Sequence, residues 1–232
     1  MPYMNYGANS TLVWLALVIM ILPLYASFKV QNTFQQYERK RTLAGYTGEE
    51  AARRLLAMQN INVTIMPVRG SMTDFYDPVH KTLALSQSVY GVNSIAAVSV
   101  AAHEVGHAMQ DAEVYGFLRF RHAIYPITNF ASQLSMPLIV LGLFMGANSF
   151  LVDLGIGLFA ITTLFAIITL PVEFNASKRA LATLKTSGML TQDELVGAKK
   201  VLDAAALTYV AAAMASVLSL IRLILISNRN ND

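Results

Sequence analysis

Cysteine is absent from this 232-residue chain. That excludes disulfides and removes thiolate as a metal ligand, so any zinc site must be built from histidine and carboxylate. Charge is scarce as well. Charged residues make up 13% and hydrophobic residues 55%, whereas an ordinary water-soluble domain carries about 25% charged residues. Much of the surface therefore faces something other than water. The net charge is only +3, and no basic tract interleaves with aromatic residues, which argues against a nucleic-acid partner. Histidine occurs only four times, so the position of each is informative. Repeats and low-complexity tracts are missing.

What is present in abundance is apolar length. Residues 11–28 form an uncharged stretch of 18, which as a helix reaches about 27 Å, near the hydrocarbon thickness of a bilayer. Residues 1–10 hold no Lys or Arg, and no small-residue cleavage site follows the stretch. It therefore reads as a retained transmembrane helix rather than a signal peptide. Further stretches of spanning length cover 124–145, 150–170 and 204–226, with a short turn at 146–149. The expected fold class is mainly α and integral to a membrane. It has four transmembrane helices and two polar segments, 29–123 and 171–203, the first a zincin-like helical region with a small β-hairpin or sheet. A lipid bilayer is thus an expected partner; oligomeric state is not encoded in any feature of the sequence.

Positive charge orients such helices. Residues 29–125 carry ten Lys or Arg and residues 172–202 carry five, whereas 1–10 and 146–149 carry none. Both polar segments are expected on the cytoplasmic side, with both termini outside, so that the two can build one site. Near the outer ends of the third and fourth spans, Asp153 and Arg222 are expected to pair or to snorkel to the interface.

Within the first polar segment, Thr47 and Glu50 fit a capping box. The helix it opens carries Ala51, Leu55 and Met58 along one side and ends near Asn60. Residues 61–65 alternate as a strand. Residues 74–76 and 82–85 flank the turn Asp77-Pro78 as a hairpin, and either strand is a candidate edge for an added peptide strand. Asn93 or Ser94 caps a long helix reaching at least Gln110.

That helix holds His103-Glu104-Val105-Gly106-His107. Residues at i and i+4 share one face, so both imidazoles can reach one zinc ion, while Glu104 is offset towards a water beside it. This is the arrangement of zinc peptidases, in which Glu104 serves as general base. A catalytic zinc needs a third protein ligand. His80 falls in the hairpin turn, His122 sits beside Arg119 and Arg121, and Glu113 points off the ligand face. Glu173 follows the third apolar stretch just past Pro171, where a carboxylate beside apolar neighbours calls for a partner. Ser177, one turn on, can bond a ligand, and Asp111, on the face of His103 and His107, can do the same. Arg179 and Lys178 are candidates to stabilise an oxyanion, as are Tyr76, Tyr90 and Tyr115.

The motif at 103–107 followed by Glu173-Phe174-Asn175-Ala176-Ser177 resembles the gluzincin pattern. That resemblance implies Glu173 as third ligand on a later helix. Distantly similar membrane proteases place Asp where this chain has Ser177. The chain as a whole is similar to the YugP-like family of bacterial membrane-bound neutral zinc metallopeptidases. The likeness rests on Asp77-Pro78, Lys81-Thr82-Leu83, Leu85-Ser86, the run Ala101 to Ala108, Gln110-Asp111 and the Glu173 segment. It implies a multi-pass protein of the bacterial cell membrane that binds Zn2+ and hydrolyses a peptide or protein substrate, and it implies no particular substrate. The alternative is a membrane protein with a structural or sensory zinc site. Such a site is closed by four ligands and has no use for Glu104.

Overall fold

Away from water an apolar run can satisfy its own backbone only as a helix or in a closed barrel, and all four apolar stretches are helical. The computed structural model describes residues 6–145 and 150–229; the turn expected at 146–149 lies outside them. In chain order the described elements are α1 (Tyr6–Glu38), α2 (Gly48–Met58), β1 (Thr64–Val68), β2 (Phe75–Asp77), β3 (Thr82–Ser86), α3 (Ile95–Ala112), α4 (Gly116–Met145), α5 (Phe150–Ser187) and α6 (Gln192–Arg229). Helices α1, α4, α5 and α6 are long and apolar enough to cross a membrane. Each runs past its apolar stretch. Pro171 lies inside α5, which continues to Ser187 rather than starting anew.

The chain divides into two compact units. The first contains the described residues up to Ala26, Phe120–Leu170 and those from Tyr209 onward. Its large side chains point outward, with Trp14 67% and Phe144 86% exposed. Most of its buried positions are small, among them Ala131, Ala211 and Ala213, with Ile139 and Val152 as larger exceptions. This is the pattern of helices that pack on small residues and present bulk to lipid. A Cβ on Gly155 would lie 2.8 Å from the Ser135 carbonyl oxygen, so α4 and α5 approach closely there. Thr163 and Ser216 hydroxyls, 2.8 Å apart, join α5 to α6. Asp153 and Arg222 form no ion pair; the Arg222 Nε is buried without a hydrogen-bond partner.

The second unit contains Ser27–Arg119 and Pro171–Thr208, and so draws on both basic polar segments. The Thr47–Glu50 capping box is formed at the start of α2. A second box, between Thr191 and Glu194, opens α6. Helix α2 buries Ala51, Ala52, Leu55 and Leu56 and leaves Met58 exposed, so its core face is rotated from the expected one. The helix ends in a Schellman turn: Asn60 is left-handed (φ 54°) and the Ile61 N–H donates to the Leu56 carbonyl. That turn occupies Asn60 and Ile61, and the first strand starts at Thr64, three residues later than the alternation suggested.

The sheet order is β1-β3-β2, with β1 parallel and β2 antiparallel to β3. Leu83 and Leu85 of β3 are fully buried in the core with Val98 and Val105 of α3 and Leu184 of α5. Because β3 is paired on both sides, it offers no edge for an added strand. Of the two hairpin strands, only β2 retains an edge unpaired by any described strand.

Candidate metal centre

Ser94 caps α3, its Oγ accepting from the Ala97 N–H at 3.1 Å. Asn93, the other candidate cap, instead accepts from the Thr42 N–H and hydroxyl. The small residues of α3, including Ala101, Ala102 and Ala108, are fully buried, which lets neighbouring backbone come near. Such an approach occurs at Gly106. A Cβ there would stand 2.5 Å from the Ala176 carbonyl oxygen of α5, well inside van der Waals contact. Gly106 thus sets the separation of α3 from the stretch of α5 that carries Glu173.

Across that contact three donor atoms converge. Glu173, only 2% exposed, places Oε2 3.2 Å from His103 Nε2 and 3.5 Å from His107 Nε2. The two rings stand edge to face, centroids 4.8 Å apart. Tetrahedral zinc with bonds of about 2.0–2.2 Å separates its ligand atoms by about 3.3–3.5 Å. The His–Glu spacings fit that, and two imidazole nitrogens with one carboxylate oxygen form a donor set zinc accepts. The outer ring nitrogens are engaged elsewhere. His103 Nδ1 is 3.1 Å from Ser177 Oγ, and His107 Nδ1 is 3.0 Å from Gln110 Oε1.

The local field favours a cation. Burial opposes protonation of His107, yet the hydrogen bond to Glu173 and the charges of Glu104 and Glu173 lift its imidazole above the ordinary range. Glu104 is buried at 7% exposure. Desolvation pushes its carboxyl up, His107 and His103 oppose this, and Asp74 and Glu173 add to it.

The remaining sequence candidates separate clearly. Asp111 is within reach of Tyr76 and Lys81, the Tyr76 hydroxyl donating to its Oδ2 at 2.7 Å. It thereby ties β2 and the hairpin turn to α3. The Tyr76 phenol is held well above its usual range by burial and by this carboxylate. Arg179 clasps both Glu113 carboxylate oxygens and donates from Nε to Asn175 Oδ1. Lys178 is exposed. His80 stays in the hairpin turn, its Nδ1 2.6 Å from Asp77 Oδ2. His122 lies exposed on α4 within the first unit.

Three residues beside the site, Gly106, Gln110 and Asn175, fall within motifs visible in the sequence but receive no role from it. Gln110 is one turn beyond His107 on α3, a spacing visible in the sequence. Its partners Val172 and Asn175 lie on α5, more than 60 residues away, and no local pattern points to them.

Comparison with known proteins places the chain in a family. "Putative membrane protease YugP" of Bacillus subtilis (strain 168) is 45% identical over 221 residues, covering 95% of this chain and 98% of the relative. No solved structure matches. A family model covers residues 12–228, from the first apolar stretch to the last. The metal such a family implies, Zn2+, suits the His103, His107 and Glu173 group. With a match over nearly its whole length, the chain belongs to the family described as "Putative neutral zinc metallopeptidase".

Proposed function

We propose that this protein is a gluzincin-type zinc endopeptidase of the bacterial cell membrane, cutting membrane or membrane-adjacent proteins at the cytoplasmic face. The observation that carries the reading is Glu104, a buried carboxylate immediately beside a ligand histidine. A site that holds zinc only for structure is closed by protein ligands and gains nothing from a further buried acid. His103, His107 and Glu173 would hold the ion. Bound zinc would polarise the scissile carbonyl and make water a nucleophile near neutral pH. Glu104 takes the proton from the attacking water on its carboxylate and passes it to the departing amine. Ser177 and Gln110 keep the two imidazoles oriented. Tyr76, bonded to Asp111 of α3, keeps β2 beside the metal helix, and the open edge of β2 would hold the peptide in extended form.

Metal removal tests the reading. Protein purified in detergent should contain one zinc per chain and cleave a mixed peptide library. A chelator should abolish cleavage, and added zinc should restore it. Cleavage that persists after the zinc is gone would refute the assignment.

Orientation is supported by the basic residues in 29–125 and 172–202. The chain has no native cysteine, so single introduced ones report cleanly. Cysteines near Lys40 and Lys185 should be shielded from an impermeant thiol reagent in intact cells, and one at position 148 should react. Labelling near Lys40 or Lys185 would place the site on the other side.

A further inference from the structure

Resting on the zinc reading, we propose that Arg179, Asn175 and Gln110 form a directional hydrogen-bond chain that decides which nitrogen of His107 is offered to the metal. Gln110 is the positioning residue of that ligand. The direction starts at Arg179, because a guanidinium donates and never accepts. Its Nε donates at 2.7 Å to Asn175, so the receiving atom is the amide oxygen, Oδ1. Both Glu113 carboxylate oxygens hold the guanidinium from its other side. The same Asn175 Oδ1 lies 3.0 Å from Gln110, which must therefore present its amide nitrogen, Nε2. That nitrogen also donates to the Val172 carbonyl at 2.7 Å, and both its protons are then used.

The atom of Gln110 left for His107 is consequently the amide oxygen, 3.0 Å from Nδ1. An amide oxygen only accepts, so the ring proton sits on Nδ1. A neutral imidazole has one such proton, which leaves the Nε2 lone pair free, and Nε2 is the nitrogen that faces Glu173 Oε2. Turning the Gln110 amide over would set its oxygen against Val172 and Asn175 oxygens and its NH2 against His107. Gln110 is 0% exposed, so water cannot relieve that conflict. His103 has no such instruction. Its partner Ser177 carries a hydroxyl that donates or accepts equally well. The two ligands are thus held differently, and His107 depends on its partner more than His103 does.

The direct test is nitrogen NMR of His107 in metal-free, full-length protein in micelles, at a pH where the ring is neutral. The proton should be found on Nδ1; a proton on Nε2 overturns the proposal without any variant. Zinc affinity by chelator competition supplies the second arm. Gln110→Ala, checked for retained helical content, should weaken zinc about 10–100-fold, the usual effect of losing an outer partner. Ser177→Ala should weaken it less. Asn175→Ala should weaken it, while Asn175→Asp, which keeps oxygens facing both Arg179 and Gln110, should stay near the parent. A folded Gln110→Ala that binds zinc as tightly as the parent refutes the chain. A parent protein that binds no zinc at these residues refutes the zinc reading instead, and the NMR result on metal-free protein still decides the direction of the chain.

Discussion

Glu173→Ala should leave the purified protein without stoichiometric zinc and without peptidase activity. No thiolate exists in the chain, and His103 with His107 provides two nitrogens. Among the described residues, the only group of three or more potential metal ligands with atoms within 4.8 Å of one another is His103, His107 and Glu173. Disturbing an outer partner of a ligand costs about 10–100-fold in metal affinity, and deleting a ligand outright should exceed that. Loss of fold does not explain the expected result. The substitution takes the Glu173 partner from two imidazole nitrogens but adds no polar group or bulk of its own. Its neighbours Val172 and Ala176 keep their packing, and helical content should be unchanged. His80→Ala is the control, since His80 is bonded to Asp77 in an exposed turn, and it should retain the metal. If Glu173→Ala binds zinc as tightly as the parent, the third ligand lies elsewhere.

The second large effect is expected from Glu104→Gln. The amide has the shape of the carboxylate but cannot take a proton from water, and both histidines remain in place. Zinc content should match the parent while turnover falls by about 10²–10⁴-fold, the usual contribution of a general base. Burial holds the Glu104 carboxyl above its ordinary range, so the neutral amide should be tolerated at that position without loss of fold. Parent-like turnover in the Gln variant would remove Glu104 from the chemistry and favour a non-catalytic metal site. A zinc-loaded, inactive variant has a further use. Membrane proteins that accumulate uncut in cells carrying it would name the substrates.

The parts of this protein that were readable in advance are those governed by local rules. Spanning length alone identifies the four long helices. Thr47 and Glu50 announce the start of α2 by reciprocal capping, and Ser94 does so for α3. Helical geometry puts His103 and His107 on one face before any tertiary contact is considered. Local rules also misled in places. Alternation from Ile61 ran through a helix-ending turn that only the left-handed Asn60 reveals. Leu83 and Leu85 marked β3 as a strand, but nothing in its own residues tells a central strand from an edge. Asp111 shares the ligand face by spacing, yet it accepts from Tyr76 and Lys81.

The sequence by itself determined the class of the protein. Apolar length, scarce charge, absent cysteine and one i, i+4 histidine pair leave a membrane protein with a histidine–carboxylate metal site as the consistent reading. Only the tertiary structure decided how the site is assembled. Glu173 lies 70 residues from His103 and reaches it because Gly106 has no Cβ to hold the Ala176 backbone away. The direction of the Gln110 amide, and with it the ring proton of His107, is set by Arg179, Asn175 and the Val172 carbonyl on α5. These are contacts between segments distant in sequence. Their energies depend on hydrogen-bond polarity in a buried space, which no periodicity along the chain records.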